Sequence, residues 1–258
     1  MTEEGKFKIG IMGAMNEEVK SIRENFTDIT TETFGKREYT TGKLQGIDTV
    51  LVFSRWGKVA AASTVTTLLH HYKVNCLIFI GVAGALSQDL NVGDIVISDQ
   101  LFQHDMDARP LCEKHQIPLT NDRLFKSNET LVQNATKSAA LFIASINQTL
   151  SAITREKFSI IAPKVVTGKI ATGDTFIHQS SQKLALKNDM PDTLAVEMEG
   201  AAVAQICHDY DIPFVVLRTI SDKADHSAAI DFQAFISEVI PKYASGIVNE
   251  MYKQMKLN

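Results

Sequence analysis

The 258-residue sequence has few cysteines, no long apolar run and no cluster of basic residues. Its three cysteines are far apart and form no CxxC pair, which argues against a disulfide framework and a zinc knuckle. No apolar segment reaches the roughly 20 residues of a membrane-spanning helix, and the first ten residues contain no apolar core of a signal peptide. With a net charge of −4 and no basic patch, the chain lacks the footprint of a nucleic-acid-binding protein. We therefore expect a cytoplasmic protein that binds neither membrane nor nucleic acid.

What the sequence does contain is an ordinary globular composition, with 45% hydrophobic and 22% charged residues. A compact chain of this length buries about three-quarters of its unfolded surface, so it needs no crosslinks to build a core. Length alone allows one large domain or two small ones, but no linker or low-complexity tract divides the chain.

Apolar runs of strand length alternate with segments of helical period, which predicts an α/β fold with one mixed or parallel sheet flanked by helices. The predicted strands are Phe7–Met12, Tyr39–Leu44, Asp48–Phe53, Cys76–Ile80, Val92–Leu101, Lys164–Ala171, Leu194–Glu197 and Phe214–Ile220. The predicted helices are Asn16–Phe26, Lys58–Tyr72, Lys126–Leu150, Glu199–Tyr210 and Phe232–Lys256, and His104–Asn121 is expected to be a loop.

Five residue clusters stand where predicted strands end, and several of them hold carboxylates beside glycine. The clusters are Gly13–Glu18, Gly81–Gly84, Gly173–Phe176, Glu197–Gly200 and Ser221–Asp225. Ligands of α/β sheets bind outside the carboxyl ends of the strands, and carboxylates that converge there perturb one another's pKa values. A single carboxylate of this kind is more often a helix-dipole partner or a turn cap, so we expect a functional site only where several of them converge.

Other chemistries find little support. The glycine clusters match neither GxGxxG nor GxxxxGK[ST], so neither a dinucleotide nor a P-loop site is expected. His104 and Asp105 are suitable metal ligands by type, but a turn or interface network is the more common role of such a pair. Adjacent helical residues point in different directions, so His70 and His71 do not readily share a metal, and Cys207 with His208 does not form a nucleophile pair.

Five segments, in order along nearly the whole chain, closely resemble the methylthioadenosine/S-adenosylhomocysteine nucleosidases of the nucleoside phosphorylase/hydrolase superfamily. They are GIMGAMNEEV (Gly10–Val19), GVAGALSQDLNVGDIVISD (Gly81–Asp99), TGDTFI (Thr172–Ile177), AVEMEGAAVA (Ala195–Ala204) and PFVVLRTISDKAD (Pro213–Asp225). The resemblance weakens between about Asp107 and Pro163. It implies one α/β domain over residues 1–258, with a twisted mixed sheet flanked by helices, usually as a homodimer. It also implies hydrolysis of a nucleoside by water, without cofactor or metal.

The resemblance implies a role for each matching residue. Asp222 is similar to the general acid at purine N7, Glu18 to the base that activates water, and Glu199 to the residue that holds the ribose hydroxyls. Phe176 looks like the ring stacked on the purine, and Arg218 like a group that supports the acid and the water. The remaining substrate-binding positions are Met15, Trp56, Val82, Ile177, Glu197, Met198 and Ser221.

These roles are chemically coherent. Cleavage of an N-glycosidic bond passes through an oxocarbenium-like state, with one carboxyl as acid and another as base. Asp222 would have to be protonated near pH 7, and Glu18 would have to be ionised, so their surroundings must separate their pKa values.

Two departures from the family pattern bear on the substrate. Val82 stands where the family often has Ser or Thr, and Trp56 replaces a smaller aliphatic residue near the 5'-substituent. A futalosine or aminofutalosine hydrolase therefore stays open as an alternative. A phosphate-dependent nucleoside phosphorylase also stays open, with Arg55 and Lys58 as its nearest cations, although phosphate would be repelled by Glu18. A non-catalytic nucleoside-binding protein is the third alternative, although all three carboxylate positions are occupied.

Overall fold

Two large hydrophobic layers lie on the two faces of a central sheet, and a smaller third cluster of the described residues includes Leu86, Phe102 and Ile177. Side chains alternate between these layers along each buried strand: Ile9 and Ile11 contribute to one layer, and Met12 and Val50 to the other. The computed structural model describes residues 7–224 and 232–256. Within these ranges, no helix has the length and apolar character needed to cross a membrane.

The strands and helices of the described residues alternate along the chain as expected for an α/β fold. The strands are β1 Lys8–Gly13, β2 Phe26–Phe34, β3 Arg37–Leu44, β4 Ile47–Phe53, β5 Cys76–Ala85, β6 Ile95–Gln103, β7 Phe125–Lys126, β8 Val165–Thr172, β9 Thr193–Glu197 and β10 Phe214–Asp222. The helices are α1 Asn16–Arg23, α2 Lys58–His70, α3 Glu129–Ala144, α4 Ile146–Thr149, α5 Ala152–Lys157, α6 Ser180–Asp189, α7 Gly200–Asp209, α8 Phe232–Glu238 and α9 Ile240–Lys256.

The sheet is mixed and closes partly on itself. Strand β5 pairs with β1, β9 and β10, so that β5, β9, β8, β6 and β10 form a closed ring of strands. Strands β1, β4, β3 and β2 extend from this ring as an open sheet. Strands β1, β4, β5 and β10 run parallel, and β9 meets β5 only at the carboxyl ends of both. The carboxyl ends of β1, β5, β9 and β10 therefore lie together, which is what a strand-end site requires.

A bulge near the end of β10 changes its register against β5. Ile220 is opposite Ala83, but the next paired residue is Asp222, opposite Gly84. The extra residue, Ser221, shifts the alternation of side chains at this point. Asp222 is thereby placed beside the glycine segment of β5.

The structure confirms the predicted α/β fold with a mixed sheet flanked by helices, but it corrects several elements. The helix expected over Asn16–Phe26 ends at Arg23, and Phe26 begins β2, a strand that the sequence reading missed. Every β2 residue after Phe26 is exposed, so this edge strand carries no apolar alternation. The helix expected over Lys126–Leu150 is also wrong at its start, because Lys126 pairs with β6 and α3 begins at Glu129. Helices α5 and α6 were not expected.

Candidate active site

Glu18 is folded back over the start of its own helix. It is the third residue of α1, and its Oε2 accepts a hydrogen bond of 2.9 Å from the backbone N–H of Met15. This contact keeps the carboxylate inside the protein, where the residue is fully buried. Burial raises the pKa of Glu18 to about 7, although Arg218 and the N–H groups of Met15 and Ala14 favour its ionised form.

Arg218, on β10, is the cation at the centre of this region. Its side chain is completely buried, and it donates to Glu197 Oε2 from both Nε, at 3.1 Å, and Nη2. Its Nη2 also lies 3.8 Å from Glu199 Oε2. The guanidinium carbon sits 4.1 Å from the centre of the Phe79 ring, so an aromatic face covers one side of the charge.

Glu197, at the end of β9, accepts hydrogen bonds from other protein groups on both of its carboxylate oxygens. Thr172 donates its hydroxyl to Oε1, and the backbone N–H of Gly200 donates to Oε2 at 2.7 Å. The backbone N–H of Glu199 adds a bond of 3.1 Å. Glu197 therefore joins the start of α7 to β8 and to Arg218.

Glu199 lies two residues further on and accepts fewer bonds. Its Oε1 accepts a hydrogen bond of 2.9 Å from the backbone N–H of Gly57, in the loop after β4. It is 5% exposed, and burial together with the neighbouring Glu197 raises its pKa above the ordinary value.

An opening in this network lies beside Gly81 of β5. Within residues 7–224 and 232–256, neither Glu18 Oε1 nor Arg218 Nη1 has a hydrogen-bond partner, although both atoms are buried. A side chain at Gly81 would collide with Arg218 Nη1 and lie 3.2 Å from Glu18 Oε1. Because Gly81 has no side chain, the Arg218 guanidinium lies against the β5 backbone, with Glu18 Oε1 nearby.

Asp222 lies beside the other end of the glycine segment. Ser221 donates its hydroxyl to Oδ2 at 2.8 Å, and the backbone N–H of Ala224 donates to Oδ1 at 2.8 Å. A Cβ at Gly84 would be 2.9 Å from Asp222 Oδ1. Asp222 borders a cavity of about 30 Å³ that is also lined by Phe176, Ile177, Val196 and Met198. A larger cavity, of about 640 Å³, borders Asp222 on the side of α8 and is lined by neither Glu18 nor Glu199.

The structure thus brings most of the predicted site residues together. Met15 caps α1 and is buried, Ile177 is buried, and Phe176 is 45% exposed. Val82 packs against the apolar layer on the side of α9. Trp56 is 61% exposed, more than Phe176, although its neighbour Gly57 binds Glu199. Asp225, the last residue of the fifth cluster, lies outside the described residues.

Two contributors were not found from the sequence. Thr172 links Glu197 to the first turn of α7 through its hydroxyl, which also accepts a 2.8 Å bond from the N–H of Ala201. Gly57 acts through its backbone alone. Thr172 stands at the end of a strand, next to Gly173, and this position is the one sequence feature that could have indicated its role. Nothing in the sequence identifies the partner of a backbone N–H.

Comparisons with known proteins agree on one family. The family model of the phosphorylase superfamily matches residues 8–250. The chain is 38% identical over 232 residues to the 5'-methylthioadenosine/S-adenosylhomocysteine nucleosidase of Bacillus cereus, covering 90% of this chain and 92% of that protein. The structure is similar to the nucleosidase of Neisseria meningitidis in complex with methylthio-immucillin-A, with a TM-score of 0.84 and 31% identity over 96% of this chain and 99% of that one. It is also similar to the futalosine hydrolase of Helicobacter pylori, with a TM-score of 0.81 and 31% identity over 96% of this chain and 98% of that one.

The raised pKa of Glu18 predicts how the stability of the folded protein depends on pH. Between the ordinary value of 4.5 and about 7, the folded protein retains a proton that the unfolded chain has released, so rising pH favours unfolding. We expect Glu18→Gln, which cannot ionise, to gain about 2 kcal/mol of stability relative to wild type between pH 5 and pH 8. Denaturant unfolding of both proteins at the two pH values measures this difference.

Glu24→Gln is the matched control, since Glu24 follows the same helix and is exposed. Its stability relative to wild type should stay constant across the same pH range. A Glu18→Gln difference that is equally constant would contradict the raised pKa.

Proposed function

Because the chain belongs to the phosphorylase superfamily and, within it, to the methylthioadenosine/S-adenosylhomocysteine nucleosidases, which are N-glycosidic hydrolases, we propose that it hydrolyses 5'-methylthioadenosine and S-adenosylhomocysteine. The products are adenine and the corresponding thioribose. In this proposal Asp222 is the general acid at N7 of the purine, Glu18 activates the attacking water, and Glu199 holds the ribose hydroxyls.

The observation that carries this proposal is the spacing of two carboxylates along β5. Glu18 lies beside Gly81 and Asp222 beside Gly84, three residues further along an extended strand. At about 3.3 Å per residue, these two points on the backbone are roughly 10 Å apart. Residues three apart on a strand point to opposite faces, so Glu18 and Asp222 reach β5 from different sides. A nucleoside bound across the carboxyl end of β5 would have water at C1' near one carboxyl and the purine ring near the other. Inverting glycosidases hold their acid and base apart for the same reason.

The surroundings of Glu18 support its role as base. A pKa of about 7 gives a group that is substantially ionised at neutral pH and still accepts a proton readily. Its Oε2 is held by Met15, while Oε1 and Arg218 Nη1, both near Gly81, have no hydrogen-bond partner among the described residues. A water molecule there would donate to Glu18 and accept from Arg218, which orients a lone pair for attack.

Glu199 supports the ribose role by its position and charge. Its Oε1 is held by Gly57 and its Oε2 lies at the edge of the Arg218 guanidinium. When ionised, it would accept hydrogen bonds from vicinal hydroxyls and stabilise the positive charge that develops on the sugar ring. Phe176, with nearly half of its surface exposed next to Asp222, would cover one face of the purine.

Phosphorolysis is less well supported, because the nearby cations are already engaged. Arg55 donates to the backbone oxygen of Lys36 at 2.6 Å, and the Lys58 ammonium binds Asp105 at 2.7 Å. Arg218 is paired with Glu197. Phosphate binding would require such contacts to be given up next to several carboxylates.

The second candidate function is hydrolysis of futalosine or aminofutalosine. The similarity in fold to the Helicobacter pylori futalosine hydrolase and the exposed Trp56 favour keeping it, since a change in the 5' group leaves the carboxylate set unaltered.

A substrate panel tests the proposal directly. We expect adenine from methylthioadenosine and S-adenosylhomocysteine at rates that do not depend on phosphate, with slower release from 5'-deoxyadenosine and none of the base from inosine. Free base is measured by chromatography with and without phosphate. Base release that requires phosphate, or release from aminofutalosine alone, would contradict the proposal.

The role of Asp222 is tested by Asp222→Asn. The amide oxygen keeps one of the two hydrogen bonds that Asp222 accepts, and its NH2 group can donate to the Ser221 hydroxyl in place of the other. The amide has no acidic proton, so kcat should fall by about a thousandfold, as for loss of a general acid. Calorimetry should still detect binding of methylthioadenosine. Asp192→Asn, at an exposed position, is the control and should match wild type. Near-normal turnover in Asp222→Asn would remove Asp222 from its role.

We further propose that the protein is a homodimer, as the family resemblance implies. Val59 and Leu111 are 81% and 89% exposed, and Leu119 is fully exposed, so large apolar side chains face solvent at the start of α2 and in the segment after β6. Sedimentation equilibrium should give twice the monomer mass at micromolar concentration, and the mass of a single chain would refute the dimer.

A further inference from the structure

One ammonium group connects segments that carry the proposed substrate contacts. Lys58 is the first residue of α2, and its Nζ donates to Asp105 Oδ1 at 2.7 Å and to Gln103 Oε1 at 3.0 Å. Its backbone N–H donates to Asp174 Oδ1 at 2.8 Å. The side chains of Lys58 and Asp105 are only 19% and 28% exposed, so the pair is more protected than an ordinary surface ion pair.

Asp105 also binds Asp174, which closes a ring of hydrogen bonds among Lys58, Asp105 and Asp174. Its second oxygen, Oδ2, accepts a hydrogen bond of 2.9 Å from the backbone N–H of Asp174. Burial opposes its ionisation, yet the Lys58 ammonium and the Asp174 N–H hold the pKa of Asp105 below its ordinary value. Lys58, Asp105 and Asp174 thus bind one another through three separate hydrogen bonds, and we call them the Lys58 triad.

The triad directly adjoins two proposed substrate-binding elements. Gly57, immediately before Lys58, donates its N–H to Glu199. Its φ of +89° favours glycine, and a Cβ there would be 3.0 Å from Asp174 Oδ1, so the loop is pressed against the triad. On the other side, Phe176 follows Asp174 by two residues. A shift of Lys58 would therefore move both the donor to Glu199 and the segment that carries the aromatic ring.

We propose that Lys58 and Asp105 are positioning residues for nucleoside binding, which hold the Gly57 N–H against Glu199 and hold the Asp174–Phe176 segment beside the purine. This proposal rests on the proposed function for its substrate. The two side chains act through Gly57, Asp174 and Glu199 rather than on the reacting atoms. The Lys58 ammonium is bound to the Asp105 carboxylate and the Gln103 amide, so it is not available to bind phosphate.

The variants Lys58→Met and Asp105→Asn, singly and together, test this inference. Each single change should raise KM for methylthioadenosine about tenfold, the effect of losing one charge-assisted hydrogen bond. We expect kcat to change by less than about threefold, because Glu18 and Asp222 lie outside the triad. The double variant should raise KM by less than the product of the two single effects, since both changes remove the hydrogen bond between Lys58 and Asp105. Lys58→Arg should recover most of the affinity.

A second measurement does not depend on activity. Trp56 is the only tryptophan in the chain and lies next to Gly57, so its fluorescence reports on this loop alone. In Lys58→Met and Asp105→Asn, quenching of Trp56 by acrylamide should change by about 1.5-fold or more as the loop loosens. Lys253→Met is the matched control, because Lys253 forms an ion pair of 2.6 Å with Glu250 on α9 and is 57% exposed.

The two measurements separate the possible failures. If wild type releases no adenine, the proposed function is wrong, and the quenching data still decide whether the triad holds the loop. If wild type is active but Lys58→Met matches Lys253→Met in both KM and quenching, the positioning role is wrong.

Discussion

The ion pair between Arg218 and Glu197 is the interaction on which the rest of the site depends. A fully buried guanidinium is costly to desolvate, and it is tolerated here because Glu197, Glu199 and the Phe79 ring surround it. Removing Arg218 would leave Glu197 as a buried, uncompensated charge. The same pair ties the end of β9 to β10 across the ring of strands, so the electrostatics and the topology of the site depend on each other.

This arrangement has a chemical consequence. Glu18, Glu197 and Glu199 are all buried near a single cation, and Glu197 takes the shorter bonds to it. Burial raises the pKa values of the remaining two carboxylates, and Arg218, which is hydrogen-bonded to Glu197, offsets this only in part. Gly81 of β5 has no side chain, which allows Glu18 and the Arg218 guanidinium to approach the strand backbone. The raised pKa of Glu18 therefore follows from its burial in the fold rather than from its residue type alone.

Much of the architecture was predictable because buried strands and amphipathic helices have distinct periods. Strands such as Cys76–Ala85 and Phe214–Asp222 were recognisable, though shorter in prediction than in the structure. The exposed edge strand Phe26–Phe34 was missed because its stability comes from pairing with β3 and not from burial. Likewise, the segment at Lys126 was assigned to a helix because a two-residue strand has no periodic signal.

The sequence by itself determined the order of the buried strands and of most helices, the family and the carboxylates at the strand ends, because these depend on local pattern and residue type. Only the tertiary structure decided which of those groups share Arg218, and that Lys58 is bound to Asp105. It also decided that the bulge at Ser221 brings Asp222 opposite Gly84. These relations join residues far apart in the chain through backbone N–H groups, strand register and burial. Such contacts leave no mark on local composition, because they exist only once the strands have paired.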